Sequence, residues 1–127
     1  MSFKINKFRD DRGILIPFEF SNLPFFPQRV FLVKDVPVDT TRGNHAHFTT
    51  KQFIVCISGN IEVGIVNSSG EQIFILESGD SAYIPNLTWD WQKFISKGGE
   101  ILVFASTKYN AADYITCMDE FKQIINK

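Results

Sequence analysis

The sequence predicts an all-β protein, a jelly-roll barrel with a short C-terminal helix, and three observations carry that prediction. Turn residues cluster at intervals of about ten residues, at Asp10-Asp11-Arg12-Gly13, Ser21-Asn22-Leu23-Pro24, Gly59-Asn60, Ser68-Ser69-Gly70, Ser78-Gly79-Asp80 and Lys97-Gly98-Gly99. Between them lie short runs that either alternate apolar with polar residues or are continuously apolar. Only the tail departs, with a three-and-four spacing of apolar residues after Asp113. About nine short strands in one chain close naturally as a barrel, which hides the sheet edges and leaves a ligand cavity in its mouth.

Each element follows from its local pattern. Arg29-Val30-Phe31-Leu32-Val33 reads as a strand, and so does Phe53-Ile54-Val55-Cys56-Ile57. The segment between them, Gly43-Asn44-His45-Ala46-His47, extends in the same way, so the alternation of a strand points both imidazoles to one face. Phe53 to Ser58, Gly59-Asn60 and Ile61 to Asn67 read as a hairpin. Ile101-Leu102-Val103-Phe104-Ala105 is continuously apolar, the mark of a strand covered on both sides. Asp113 can cap a helix through Tyr114, Ile115, Met118, Phe121, Ile124 and Ile125, packed outside the barrel.

The 127 residues are expected to form a single domain, 1–127, burying close to ~70% of the surface that the unfolded chain exposes. Thirteen phenylalanines point to an aromatic core, and the apolar Phe25-Phe26-Pro27 segment is either anchored in that core or part of a dimer interface. A net charge of -1 without a basic run argues against nucleic acid as a partner. The segment from Met1 to Arg9 has no apolar leader core, and no apolar run approaches the ~18 residues of a membrane span, so a cytoplasmic location is expected. Cys56 and Cys117 have no paired spacing and read as buried structural thiols.

Chemistry concentrates at the two histidines, the only ones in the chain. They can be core residues, metal ligands with Asp90 in a two-histidine, one-carboxylate site, or a proton-transfer pair. Gln52 weighs against the metal reading, because a neutral amide is a poor ligand but can fix an imidazole tautomer or hold a substrate oxygen. General acid/base catalysis needs no metal, since histidine titrates near neutral pH. Asp90, between Trp89 and Trp91, can orient a histidine or accept from sugar hydroxyls, or it is a solvent-facing loop residue. Arg12, Arg29 and Arg42 suit a diphosphate, which guanidinium groups bind bidentately.

His45, His47, Gln52 and Gly59, followed by Pro85 and Asp90, resemble the two halves of the cupin motif. Here Gln52 stands for a glutamate, Asp90 for a histidine and Leu87 for a turn glycine. The ordered set Arg29-Val30-Phe31, Thr41-Arg42-Gly43-Asn44-His45-Ala46-His47, Gln52, Gly59, the Trp89 segment, Ala105-Ser106, Tyr109 and Asp113-Tyr114-Ile115 is similar, more narrowly, to the nucleotide-sugar 3,4-ketoisomerases of that superfamily. Many of these have a lysine pair where this chain has Phe48-Thr49-Thr50, and His or Arg where it has Asp90.

The resemblance implies a homodimeric cupin jelly roll that converts a dTDP-linked 4-keto-6-deoxy sugar, dTDP-4-keto-6-deoxy-D-glucose, into its 3-keto isomer on the way to 3-amino-3,6-dideoxyhexoses of surface glycans. It also implies proton transfer without metal or other cofactor. His47 is then the base and His45 the acid or oxyanion donor, with Arg12, Arg29, Arg42, Gln52 and Asp90 as substrate-binding residues. A negative Asp90 would raise the pKa of a nearby histidine. A metal-dependent cupin oxygenase and a non-catalytic sugar-binding cupin are the rival readings.

Overall fold

The computed structural model describes residues 5–127, so the expectation of no apolar leader core over Met1 to Arg9 falls partly outside the described residues. Strands β3 (Arg29–Val33), β4 (Thr40–His47), β5 (Gln52–Ser58), β6 (Ile61–Asn67), β7 (Gly70–Leu76), β8 (Ser81–Ile84), β9 (Trp89–Phe94) and β10 (Glu100–Ala105) form the barrel. A small hairpin, β1 (Phe8–Asp10) and β2 (Gly13–Leu15), precedes it, and β11 (Tyr114–Ile115) and helix α1 (Met118–Ile125) follow. One sheet has the order β3-β10-β5-β8, the other β11-β4-β9-β6-β7, and every pairing is antiparallel. All-β architecture with one short C-terminal helix is therefore what forms.

Strand alternation builds three apolar layers. Ile54 and Cys56 of β5 with Ile101 and Val103 of β10 face Ile61, Val63, Leu76 and Phe94 of the other sheet, and these make the central core. The intervening residues Phe53, Val55, Leu102 and Phe104 face the opposite way, onto Phe18, Leu23 and Phe25 of the N-terminal segment. Continuous apolar runs in β5 and β10 thus mark strands buried on both faces. Ala46, Trp89 and Ile115, on the outer face of the five-stranded sheet, receive Phe121, Met118 and Ile125 from α1. Of the two readings of the Phe25-Phe26-Pro27 segment, core anchoring holds for Phe25, whereas Phe26 is 73% exposed.

Three local expectations are corrected. The residues on either side of Gly59-Asn60 do not form a hairpin: β5 pairs with β10 and β8, β6 with β9 and β7, and the turn carries the chain from one sheet to the other. Gly59 has φ 77°, and a Cβ there would lie 2.7 Å from Gly99 Cα, so the corner needs glycine for close approach rather than for strand reversal. In this part of the chain the two-residue hairpin loop is instead Ser68-Ser69, between β6 and β7, where Asn67 Oδ1 accepts from the Ser69 N–H at 2.8 Å.

Asp113 does not cap the helix. Tyr114 and Ile115 pair with His47 and Ala46 as strand β11, and the helix begins only at Met118, after Cys117. The spacing of Met118, Phe121, Ile124 and Ile125 is helical, but Tyr114 and Ile115 join that stripe by coincidence because β4 offers them hydrogen bonds. Cys117 is exposed, while Cys56 is buried.

Candidate active site

A bulge in β4 aims the face that carries the two histidines. Arg42 pairs with Gln92 and Gly43 with Trp91, yet the next pair is His45 with Asp90, leaving Asn44 as an extra residue. Gly43 (φ 88°) and Asn44 (φ 60°) are both left-handed, a conformation that glycine and asparagine tolerate best. Since Asp90 and Gln92 alternate on one face of β9, the inserted residue puts His45 back on the face that Arg42 occupies. Without it, the two imidazoles would turn away from the arginine.

That face closes a cavity of about 280 Å³, walled by Arg29 and Phe31 of β3, Arg42 and His45 of β4, Gln52 of β5, Asp90 and Gln92 of β9, and Tyr114 of β11. The His45 and His47 rings lie 4.9 Å apart, nearly perpendicular, and the Tyr114 ring packs 4.9 Å from the first and 4.4 Å from the second. His45 forms the wall; His47 stands beside it, 5% exposed. The Arg29 guanidinium lies over the rings of Phe31 and Tyr109, 4.6 and 5.3 Å from their centroids, which keeps a cation at the rim.

Electrostatics keep both imidazoles neutral at physiological pH. Burial pushes His47 down to about 4; neighbouring His45 and Arg29 add to this, and Asp113 opposes it. Burial lowers His45 as well, against a hydrogen bond with the Gly43 backbone. Asp90 moves the other way: burial raises its carboxyl to about 7, although a hydrogen bond with Gln92 pulls it down. Asp90 is a β9 strand residue, 2% exposed, and not a loop aspartate. The expectation that it would raise a histidine pKa is not met: the groups acting on the two imidazoles are each other, Arg29, Asp113 and the Gly43 backbone, and burial delays ionisation of the Asp90 carboxyl until near neutrality.

Arg29, Arg42, His45, Gln52 and Asp90 are brought together on the wall, with His47 next to it. Arg12 is not: it lies at the β1–β2 turn, exposed, 2.6 Å from Asp10 Oδ2, and away from this cavity. Among the described residues, no three of His, Cys, Asp and Glu converge on a point that could hold a metal ion, so His45, His47 and Asp90 do not make the facial triad an oxygenase would need.

Sequence reasoning missed Gln92 as a site residue, although its place two residues after Asp90 in a strand puts both on one face. It read Asp113 as a helix cap and Tyr114 as helix, which hid their contacts with the histidine strand. The Asp113 carboxylate, itself buried, accepts from Thr49 N–H (2.9 Å) and Oγ1 (2.8 Å) and from Thr50 N–H (3.0 Å) and Oγ1 (2.5 Å). Burial works to raise its pKa, but these four hydrogen bonds outweigh it and the net displacement is downward. Leu87, in the register of a turn glycine, takes φ 56°, and its N–H donates to the His47 carbonyl at 2.8 Å.

Comparison with known proteins converges on one family. Residues 2–126 match the family described as FdtA, WxcM-like, C-terminal. The chain is 32% identical over 123 residues to TDP-4-oxo-6-deoxy-alpha-D-glucose-3,4-oxoisomerase of Aneurinibacillus thermoaerophilus, covering 95% of this chain and 88% of the relative. Its structure superposes with TM-score 0.91 on a histidine-to-asparagine variant of the 3,4-ketoisomerase QdtA from Thermoanaerobacterium thermosaccharolyticum in complex with TDP-4-keto-6-deoxyglucose, at 28% identity, covering 98% of this chain and 91% of that one. The TDP-quinovose 3,4-ketoisomerase WlaRB of Campylobacter jejuni gives TM-score 0.86 at 33% identity over 94% of this chain and 93% of its own. A continuous match along the cupin jelly roll, residues 2–126, shows that the chain belongs to the FdtA/WxcM-like family of sugar 3,4-ketoisomerases.

Proposed function

We propose that this chain isomerises dTDP-4-keto-6-deoxy-D-glucose to a dTDP-3-keto-6-deoxyhexose by acid/base proton transfer that needs no metal. The observation that carries the reading is a pair of neutral, ring-to-ring histidines beside Tyr114 at a cavity rimmed by two arginines, in a chain of this family. A neutral imidazole has the lone pair that a base requires, and His47, with its pKa near 4, holds that form at pH 7. His47 takes the proton from C3 of the 4-ketone. The resulting enediolate carries its charge on O4, next to His45 and Tyr114, and a proton is returned to C4 while the O3 proton leaves and the ketone forms at C3. Net, one hydrogen moves from C3 to C4 and one from O3 to O4, with no change in redox state.

Arg29 and Arg42 take the diphosphate, Gln52 and Gln92 the sugar hydroxyls, and Asp90 the face from which C4 is protonated. The nucleotide end, far from the reacting carbons, supplies the binding energy that orients the ring. The product feeds the synthesis of 3-amino-3,6-dideoxyhexoses for surface glycans. A cytoplasmic location suits a charged diphosphate substrate and two free thiols. The assembly is a homodimer: β3 is an edge strand whose outward residues Val30 and Leu32 are about half exposed, as are Phe8 and Ile14 of the β1–β2 hairpin.

Proton NMR of dTDP-4-keto-6-deoxy-D-glucose incubated with the protein in D2O tests the reaction. A 3-keto product carrying deuterium at C4 is expected, and its coupling constants give the configuration there. A substrate that binds while its C3 and C4 protons persist would show a sugar-binding protein instead.

A further inference from the structure

The carboxylate of Asp113 and its four threonine donors lie outside the cavity wall, and the mechanism above leaves them unused. Their position is not incidental. Thr49 and Thr50 follow His47, the last residue of β4, with only Phe48 between, while Asp113 directly precedes Tyr114 at the start of β11. The Phe48 N–H donates to the Asp113 carbonyl at 2.9 Å, Tyr114 pairs with His47, and the Asp113 N–H closes a turn on the Asn110 carbonyl. Asp113 therefore joins two chain segments more than sixty residues apart at the place where the Tyr114 ring meets both imidazoles.

β11 is only two residues long, so its own ladder holds Tyr114 weakly. The clamp fixes it. Four donors also keep the carboxylate ionised despite its burial, because an ionised carboxyl accepts on both oxygens whereas a neutral acid must donate at one. We propose that Asp113 is a positioning residue for the isomerase, holding Tyr114 against His47 and supplying the buried negative charge that steadies His47 when it carries the substrate proton. Among the described residues, His45, Arg29 and Asp113 act on the charge of His47 and the Tyr114 phenol packs against its ring; of the three charged or titrating neighbours, Asp113 alone favours the imidazolium.

This inference rests on the isomerase reading, and its test separates the two. Asp113→Asn keeps the shape but turns an amide N–H toward the Thr50 N–H and removes the charge. With two histidines in the chain, the imidazole C2–H lines report both titrations directly and without substrate. For Asp113→Asn we expect kcat to fall by about tenfold or more, KM and TDP affinity to stay within about threefold, and His47 to titrate lower than in the wild type. Thr49→Val, which deletes one donor and keeps the charge, is the milder variant should Asp113→Asn fail to fold; it slows turnover about threefold with KM unchanged. A lower melting temperature with unchanged kcat and an unmoved His47 titration overturns the proposal, as does a change in only one of these two in Asp113→Asn, or an unaltered kcat in Thr49→Val. If the wild-type protein does not isomerise, the function reading fails, and the imidazole titration alone decides whether Asp113 governs His47.

Discussion

Asp90→Asn is the substitution whose consequences the structure specifies most fully. Asp90 is buried on β9, opposite His45 and Ile65 of the flanking strands, and burial lifts its carboxyl from the ordinary 3.8 to about 7. A folded-state pKa above the unfolded one means that the folded protein holds the proton more tightly. Stability is then full below about pH 4, falls as the unfolded state alone releases its proton, and levels off above pH 7. A rise from 3.8 to about 7 corresponds to about 4 kcal/mol lost across that window, of which roughly 2 to 3 kcal/mol develops between pH 5 and 8.

Asparagine does not titrate, and its carbonyl can still accept from Gln92. The stability of Asp90→Asn relative to wild type is therefore expected to grow by roughly 2 to 3 kcal/mol between pH 5 and pH 8. The contributions of His45 and His47 are common to both proteins and cancel in the difference. Urea denaturation of the two proteins at pH 5, 6, 7 and 8 measures it. A difference constant within about 0.5 kcal/mol over that range would refute the reasoning that burial outweighs the Gln92 hydrogen bond and lifts this carboxyl. The same variant should lose more turnover than substrate affinity and change the C4 epimer ratio; a more stable enzyme with unaltered turnover, pH profile and epimer ratio would reduce Asp90 to a structural residue.

His47→Asn should lower turnover by about 100-fold or more while TDP affinity and fold are retained, and activity within about tenfold of wild type would remove it as the base. With burial holding His47 near 4, kcat/KM should rise as pH climbs through that value and then stay level past neutrality on the base limb; a base limb still rising at pH 6 to 7 would show that another group carries that role. Dialysis against EDTA should leave the rate unchanged, and inactivation reversed by added iron or zinc would establish a metal-dependent reaction. Light scattering under reducing conditions should give twice the 14.5 kDa chain mass, and a monomer at working concentration would reject pairing through β3.

Local pattern alone was enough for the strand content, the apolar runs of β5 and β10, the shared face of His45 and His47, and the helical stripe from Met118 to Ile125. Each of these is a period of two or of three to four residues, and side-chain burial writes such periods directly into the chain. The ordered string of residues from Arg29 to Ile115 was likewise enough for the family. Partner choice was not legible. Gly59-Asn60 looks like a hairpin because two strands flank it, yet each strand finds its hydrogen bonds in a different sheet. Tyr114 and Ile115 look helical until β4, more than sixty residues earlier, claims them. Burial was hidden for the same reason: nothing next to Asp90 in sequence shows that two neighbouring strands and the opposing sheet shut it from water, and nothing near Asp113 names Thr49 and Thr50 as its donors. A chain reveals its own periodicity, but the dielectric around a carboxyl and the occupant of a hydrogen bond depend on segments distant in sequence, and only folding brings these together.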